Sequence, residues 1–344
     1  MAPLFTIIIP THNHGALLRY SVAAVQAQTV QEWELFIIGD GVTPETRQVA
    51  QELAAADPRI TFLDHPKHPR RGETYRHDVL TTRAQGTYVC YSCDDDLWLP
   101  DHLDYMQQLL KTADLAHPLA CYIDAAEQVQ VRPLDLQLPY YRKLMLEYEN
   151  RIGLSSMAHT LAYYKRLPYG WRTTPVGQLT DLYMYRQFLA QPDLRVTSGR
   201  RATVLNFPDG LRKHYVPGQK LAELKRWSTK IQNPDFAPRL VADLMQAAYR
   251  KTLELESEAG LMLKLLAVID ERDRSHRHVA ILQKDAKLLE AGYQHYKKDA
   301  QVLRHAMEHY KNEASVLRQA LEQEQADHAQ AVPAAKRARF FSRR

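Results

Sequence analysis

The 344-residue sequence predicts an α/β protein in which a mostly parallel sheet is followed by an extended helical region. Three observations lead to this prediction. Apolar runs typical of strands alternate with helical patterns over the first 115 residues. Polar turns, "THNH", "GDG" and "CDDD", follow three of these four runs. Beyond residue 255, apolar residues recur at alternating spacings of four and three, as in a coiled coil.

Each element of the first 115 residues follows from a local pattern. Runs rich in β-branched and aromatic residues predict strands at 4–10, 33–41, 59–66 and 87–92. Helical spacing of apolar residues, with Pro or Gly at several ends, predicts helices at 15–28, 43–56, 72–86 and 100–113. This strict alternation implies parallel strands joined by right-handed crossovers. Short strands at 120–126, 128–133 and 201–207, with helices between them, continue the same domain.

The carboxy-terminal part has a different character. The segments "KDAKLL", "KDAQVL" and "NEASVL" recur every 14 residues, and the repeat predicts a coiled coil that assembles a homo-oligomer. Its apolar seam consists of Leu282, Ala286, Leu289, Tyr293, Tyr296, Ala300, Leu303, Met307, Tyr310, Ala314, Leu317 and Leu321. The predicted domains are therefore a globular domain over 1–213, a helical linker over 214–255, a coiled coil over 256–328 and a disordered basic tail over 329–344.

Composition excludes several classes of protein. No apolar run approaches the roughly 20 residues that a membrane span needs. The amino terminus has no basic leader, so we expect a cytoplasmic protein. The net charge of +5 is too modest to indicate nucleic-acid binding. Cys90 and Cys93 lack a second pair at zinc-site spacing and are expected to be buried apolar residues. The tail "KRARFFSRR" leaves open a peripheral contact with an anionic membrane.

Three consecutive carboxylates, Asp94, Asp95 and Asp96, stand at the exit of the fourth predicted strand. A helix that begins near Pro100 accounts for one of them as a cap, and Asp96 is the candidate for that role. Hard divalent cations such as Mg²⁺ or Mn²⁺ prefer carboxylate oxygens. Ligands of parallel α/β sheets bind outside the carboxyl ends of the strands, where "THNH" and "GDG" also lie. The triplet therefore predicts a metal site.

Three segments together resemble the GT-A glycosyltransferases of family 2: "FTIIIPTHNHGALLRYSVAAVQAQT", "WELFIIGDGVTPET" and "AQGTYVCYSCDDDLWLPDHL". The resemblance is strong over about residues 3–115 and weaker to about 210. It implies a Rossmann-like GT-A fold and an inverting, nucleotide-sugar-dependent transferase. It also implies that Mn²⁺ or Mg²⁺ binds the diphosphate of the donor, which is expected to be a UDP-sugar.

The resemblance assigns roles to individual residues. The family's opening motif maps to Pro10, Thr11, His12 and Asn13, with His12 where an aromatic residue usually stacks on the base. Asp40 retains the second acid of the family's "DDGS", whereas Gly39 replaces the first. Arg76 maps to the position that faces the diphosphate. Cys93 replaces the first acid of "LDSDD", so the DXD motif falls on Asp94 for the ribose and Asp95 for the metal, with Asp96 as a further metal ligand.

The acceptor hydroxyl needs a general base, and in this family the base is commonly an acid at the start of a helix in the second half. Thr180-Asp181 precedes such a pattern, so Asp181 is the catalytic candidate. A helix N-cap formed by Thr180 or Asp181 is the alternative. His159 and Trp171 are expected on the acceptor side. Each of three residues also has a purely structural interpretation. His159 is then a hydrogen-bonded histidine of the core, Asp40 forms a turn, and Arg76 lies on a solvent-exposed face of its helix.

Two functions from different classes remain open. The first is a metal-dependent glycosyltransferase of cell-surface polysaccharide or glycoconjugate synthesis, whose acceptor is a saccharide, a lipid-linked molecule or a protein. The second is a non-catalytic GT-A-like scaffold assembled by the coiled coil, which the departures at His12, Gly39 and Cys93 favour. A nucleotidyltransferase is disfavoured, because "THNHG" lacks the glycine-rich, basic loop of that class.

Overall fold

The computed structural model describes residues 2–216 and 218–341, apart from the side chains of some residues beyond position 254. The chain divides into two compact units, Met1–Leu253 and Glu254–Arg344. The eleven strands of the described chain all belong to the first unit.

The first part of the chain alternates strands and helices as predicted. Its strands are β1 (Phe5–Thr11), β2 (Trp33–Asp40), β3 (Ile60–His65), β4 (Tyr88–Tyr91) and the two-residue β5 (Leu97–Trp98). Its helices are α1 (Gly15–Gln26), α2 (Pro44–Ala56), α3 (Glu73–Asp78) and α4 (His102–Leu110). A π-helical turn, Val79–Arg83, follows α3. All eight predicted elements are present, and only β5 was not anticipated, since two residues carry no periodic signal.

The rest of the first unit has strands of two or three residues and α-helices of four to 21 residues. The strands are β6 (Leu115–His117), β7 (Cys121–Ile123), β8 (Val129–Val131), β9 (Ala158–Thr160), β10 (Val196–Ser198) and β11 (Val204–Leu205). The helices are α5 (Pro139–Glu147), α6 (Leu161–Tyr164), α7 (Thr180–Leu189), α8 (Gln219–Ile231) and α9 (Phe236–Glu256). Strands β7, β8 and β11 confirm the three short strands that the sequence predicts in this region.

The main sheet has seven strands in the order β10-β6-β9-β4-β1-β2-β3. Strands β1 to β4 pair in parallel, as their helical crossovers require, and β6 pairs in parallel with β10. Strand β9 runs antiparallel to both β4 and β6. The predicted mostly parallel α/β sheet is therefore confirmed, whereas a wholly parallel arrangement would be wrong because of β9.

The alternation of side chains along β1 builds two apolar layers. Ile7 and Ile9 face the layer that contains Leu18 of α1 and Met106 of α4. Ile8 faces the opposite layer, which contains Phe188 of α7. Fully buried strands of this kind sit in the centre of a sheet covered on both faces. The ends of β1, β2 and β4 consequently lie at one edge of the sheet, where the polar turns follow.

The second unit is dominated by a single helix, α10 (Glu258–Phe341), which agrees with the predicted extended helical region. Leu282, Leu289, Tyr293 and Met307 of the predicted seam are exposed on it. The described residues leave out the seam side chains of Tyr296, Ala300, Leu303, Tyr310, Ala314, Leu317 and Leu321. They also leave out the side chains of the expected tail, 329–344, and the backbone of Ser342–Arg344. Among the described helices, none has both the length and the apolar character that a membrane crossing requires.

Candidate active site

Two neighbouring cavities open at the carboxyl edge of the sheet. The first, of about 590 Å³, is called the strand-end cavity, because the residues that follow β1, β2 and β4 line it. It brings together nine predicted site residues: Pro10, Thr11, His12, Asn13, Asp40, Arg76, Asp94, Asp95 and Asp181. The second, of about 270 Å³, is called the loop cavity and is lined by residues 120–122, Arg132, 150–154 and 206–209.

Asp94 is fixed by the loop that follows β1. Thr11 Oγ1 donates to Asp94 Oδ2 at 2.6 Å, and His14 Nδ1 lies 3.0 Å from Asp94 Oδ1. The hydrogen bond with Asp94 raises the pKa of His14, which outweighs the lowering effect of burial. The first and fourth strand ends are thus joined through one carboxylate.

Asp95 is surrounded by charged side chains. Burial and the neighbouring charges of Asp96 and Asp94 raise its pKa to about 7, while Lys220 opposes that shift. Lys220 Nζ donates to Asp95 Oδ2 and to Asp209 Oδ1. Burial lowers the pKa of Lys220, but the two carboxylates outweigh it and leave the pKa raised. Asp95 is therefore compensated by an ammonium group in this structure.

Two overlapping groups of side chains are arranged so that they could hold a cation. The groups are His14, Asp94 and Asp95, and Cys93, Asp95 and Asp96; in each, the ligand atoms lie within 4.8 Å of one another. Burial raises the pKa of the Cys93 thiol well above its usual value, and sulfur is a softer donor than Mn²⁺ or Mg²⁺ prefers. The remaining oxygen and imidazole donors fit Mn²⁺ or Mg²⁺. Asp95 belongs to both groups.

Both carboxylate oxygens of Asp96 accept hydrogen bonds from the protein. Its Oδ1 accepts a hydrogen bond from the backbone of Phe207 at 2.8 Å, and its Oδ2 accepts from Asn206 Nδ2 at 2.8 Å and from Ser155 Oγ at 2.5 Å. The alternative of Asp96 as a helix cap is wrong, because α4 begins at His102 with Asp101 at its N-cap position. Asp96 ties β5 to the two loops that form a wall of the loop cavity.

Asp40 organises the loop after β3. Lys67 Nζ donates to Asp40 Oδ2 at 2.5 Å, and the backbone of His68 donates to Oδ1 at 2.5 Å. His12, which is exposed, donates through Nδ1 to the backbone oxygen of Asp40 at 2.8 Å. The carboxylate of Asp40 thereby holds in place a loop that brings Arg70 and Arg71 to the strand-end cavity.

Arg76 is buried with most of its donors unused. It is 3% exposed, and its Nη2 donates to the backbone oxygen of Arg71. Its Nε and Nη1 are buried and have no hydrogen-bond partner among the described residues. Its guanidinium lies 4.6 Å from the centre of the Trp171 ring. A buried guanidinium with unused donors beside a cavity is suited to an anionic ligand, and the solvated alternative is wrong.

Asp181 lines both cavities from the first turn of α7. Leu179 occupies the N-cap position without a side-chain hydrogen bond, so the alternative of Thr180 or Asp181 as the N-cap is wrong. Burial raises the pKa of Asp181, and the charges of Arg76 and Arg71 partly oppose this. No side-chain hydrogen bond of Asp181 occurs within the described part of the chain. A partly buried carboxylate with raised pKa has the properties of a general base.

His159 and Trp171 lie in the core and line neither cavity. The His159 ring is fully buried on β9 and bonds through Nε2 to the hydroxyl of Tyr91 at 2.8 Å. Trp171 Nε1 donates to the same hydroxyl at 3.0 Å. Burial lowers the pKa of His159 to about 4. Neither side chain can contact an acceptor in this arrangement, so the core alternative holds for His159, and Trp171 instead supports Arg76.

Five polar residues that line the strand-end cavity were missed in the sequence: His14, Lys67, Arg70, Arg71 and Asp209. His14 lies in the same turn after β1 as His12 and Asn13, so it could have been predicted from its position in the sequence. Arg70 and Arg71 follow β3, whose exit carries no acidic motif. Asp209 precedes α8 by ten residues and lies 113 positions beyond Asp96 in the chain. No local pattern relates it to the strand ends.

Comparison with known proteins finds a matching family model and similar proteins. Residues 6–169 match the family model described as "Glycosyl transferase family 2". A putative colanic acid biosynthesis glycosyl transferase, WcaA of Escherichia coli K12, is 30% identical over 156 residues, which is 44% of this chain and 55% of WcaA. A putative teichuronic acid biosynthesis glycosyltransferase, TuaG of Bacillus subtilis, is 28% identical over 122 residues, 35% of this chain and 47% of TuaG. The chain thus spans about half the length of these relatives.

A solved structure was also found to be similar. The S. aureus TarS 1–349 fragment in complex with UDP-GlcNAc is 13% identical, with a TM-score of 0.48, and the alignment covers 66% of each chain.

Proposed function

We propose that this chain, whose residues 6–169 match the model of glycosyl transferase family 2, transfers a sugar from a nucleotide-sugar donor to a hydroxyl acceptor. The observation that carries this proposal is the position of Asp181 between two cavities. The strand-end cavity takes the donor and the loop cavity takes the acceptor. A base at their boundary contacts both reactants.

The donor is held by charge and by exposed polar groups. His12 and Asn13 are exposed at the rim, where the nucleotide base binds, and Asp94 accepts the ribose hydroxyls. Arg76 donates its unused Nε and Nη1 hydrogens to the diphosphate. A divalent cation held by Asp95, with Asp94 and Asp96 nearby, supplies Lewis-acid stabilisation of the diphosphate when it is bound. UDP is the expected nucleotide.

The transfer step requires a proton acceptor and a stabilised leaving group. Asp181 accepts the proton of the acceptor hydroxyl as that oxygen forms a bond to the anomeric carbon of the sugar. The bond between this carbon and the diphosphate oxygen breaks, and its electron pair leaves with the nucleoside diphosphate. Arg76 and Arg71 stabilise the developing negative charge. Attack from the loop cavity, opposite the leaving group, inverts the anomeric configuration.

For the acceptor and for the oligomeric assembly, only a broad class is proposed. WcaA and TuaG are named for the biosynthesis of colanic acid and teichuronic acid, which supports a saccharide or lipid-linked acceptor in polysaccharide synthesis. The repeat in α10 supports a homo-oligomer, because a long helix with exposed apolar residues is stabilised by a partner. The cytoplasmic location and a membrane contact through the basic tail stay predictions.

A donor screen tests the proposed function. The purified full chain is incubated with Mn²⁺ and each of several nucleotide sugars, and released nucleoside diphosphate is measured. Release from one donor is expected, and Asp95→Asn should lower it by at least about 100-fold, since metal stabilisation contributes several kcal/mol. Asp101→Asn, an exposed carboxylate after β5, is the matched control. Undiminished release by Asp95→Asn contradicts the metal assignment, and absence of nucleotide binding by the wild type favours the scaffold.

A further inference from the structure

Lys220 is the one residue of α8 that bonds to a DXD carboxylate within the described chain. It lies in the first turn of the helix, and its Nζ contacts both Asp95 and Asp209. Its side chain is 19% exposed, and that of Asp95 is 13% exposed. Asp95 and Asp209 both line the strand-end cavity. An ammonium group thus stands beside the proposed metal ligand, at the edge of the space assigned to the diphosphate.

The backbone under Lys220 is firmly anchored. Glu223, one turn further along α8, forms an ion pair with Arg212, and both side chains are only 1% exposed. Arg212 donates through Nε and Nη2 to Glu223, at 2.7 Å each. Buried, bidentate pairs of this kind fix the position of the elements that carry them. The ammonium group of Lys220 can therefore move on its flexible stem while the helix stays in place.

We propose that Lys220 is an internal cation that neutralises Asp95 in the unliganded protein and binds the donor diphosphate once a divalent cation takes Asp95. This inference rests on the proposed function. It adds a binding residue that lies far outside the family match over residues 6–169.

The balance of charge explains why Lys220 would move from Asp95 to the diphosphate when a metal binds. Asp94, Asp95, Asp96, Asp181 and Asp209 form a group of carboxylates around the two cavities. A cation on Asp95 would repel an ammonium group on the same carboxylate, because like charges a few ångströms apart interact strongly in a partly buried site. The diphosphate brings negative charge to the adjoining space. Lys220 can then leave Asp95 and pair with a phosphate oxygen as a point charge.

Two effects of opposite sign follow from the exchange. Removing the ammonium group frees Asp95 for the metal, so metal binding in the absence of nucleotide becomes tighter. The same change removes a positive charge from the diphosphate site, so nucleotide binding in the presence of metal becomes weaker. A merely structural role for Lys220 would weaken both.

The experiment uses the full chain as wild type, Lys220→Met, Lys220→Arg and Lys225→Met, the last an exposed control on the same helix. Mn²⁺ binding alone is measured by electron paramagnetic resonance, and UDP and GDP binding at saturating Mn²⁺ by calorimetry. For Lys220→Met we expect Mn²⁺ to bind about fivefold tighter or more, as is typical of coupled sites. The nucleoside diphosphate should bind about tenfold weaker, because a charge-assisted hydrogen bond is lost.

Lys220→Arg keeps the positive charge and should change both affinities by less than about threefold, and Lys225→Met should change neither. Unchanged or weaker Mn²⁺ binding by a folded Lys220→Met protein overturns the inference, as does unchanged nucleotide binding, while the proposed function stands. If the wild type binds neither UDP nor GDP with Mn²⁺, the proposed donor site fails and the inference is overturned with it. A circular-dichroism melt of each variant establishes that it is folded.

Discussion

The strand-end cavity and the loop cavity share a boundary but differ in how the chain builds them. Most of the strand-end cavity comes from the ends of β1, β2 and β4 and the turns that directly follow them. These segments carry charged side chains, and hydrogen bonds hold them in place. The loop cavity shares Cys93, Asp95 and Asp181 with the strand-end cavity, and most of the remaining wall comes from four separate segments between residues 120 and 209. Its wall is held together by Asp96. The topology of the sheet therefore fixes the strand-end cavity, whereas long-range side-chain contacts fix the loop cavity.

The largest effect that tests this comparison is expected at the boundary between the cavities. Asp181→Asn removes the proton acceptor but keeps its shape, so kcat should fall about 10²- to 10⁴-fold. Donor affinity should change little, because Asp181 forms no described side-chain hydrogen bond. Steady-state release of nucleoside diphosphate and calorimetric donor binding measure the two quantities. Asp193→Asn, an exposed acid beyond the end of α7, is the control, and a retained kcat would show that the base lies elsewhere.

Asp96→Ala tests the wall of the loop cavity. The change leaves the donors of Ser155, Asn206 and Phe207 without their acceptor, so the free energy of unfolding should fall by about 2–4 kcal/mol. Urea denaturation measures it. Asp101→Ala breaks an exposed ion pair with Arg201 and should cost less than about 1 kcal/mol. Equal losses in the two variants would mean that Asp96 does not hold the wall.

Arg76→Met tests the donor side alone. Loss of its unused donors should weaken nucleoside diphosphate binding about tenfold in calorimetry, because charge-assisted hydrogen bonds to an anion are lost. The KM for the acceptor should stay unchanged if the two cavities hold different reactants. Arg83→Met, at the exposed end of the π-helical turn, is the matched control. A rise in the acceptor KM would break the assignment of one reactant to each cavity.

The last effect concerns the pH dependence of metal binding. The pKa of Asp95 is raised to about 7, so protons compete with the metal for this carboxylate. Mn²⁺ affinity should be highest above pH 7 and fall by up to about tenfold for each unit below it. Electron paramagnetic resonance titrations between pH 5.5 and 8 measure the dependence. An affinity that is flat across this range would show that Asp95 is not the principal ligand.

The sequence predicted much of the fold and many of the residues that line the strand-end cavity. Eight of the nine strands and α-helices before residue 115 follow from local patterns, because apolar periodicity reports burial directly. Asp40, Asp94 and Asp95 were predicted because strand exits of a parallel sheet converge on one edge. The antiparallel β9 could not be predicted, since three residues carry no information on direction. His159 and Trp171 were misplaced, because a sequence does not show whether a polar ring faces a cavity or the core.

The contacts of Asp95 and Asp96 could not be predicted from the sequence. Asp95 and Lys220 are 125 positions apart, and no motif relates them. The three donors to Asp96 likewise come from positions 155, 206 and 207. Contacts of this range depend on how the later loops pack against the sheet.

By itself, the sequence determined that three acidic residues end a buried parallel strand beside two other polar strand exits, because side-chain periodicity and strand topology are local properties. Only the tertiary structure decided what each carboxylate does. Asp94 bonds to the turn after β1, Asp95 pairs with Lys220, and Asp96 supports a wall. The physical reason is that a carboxylate's function depends on the donors and charges that surround it, and folding brings these from distant parts of the chain.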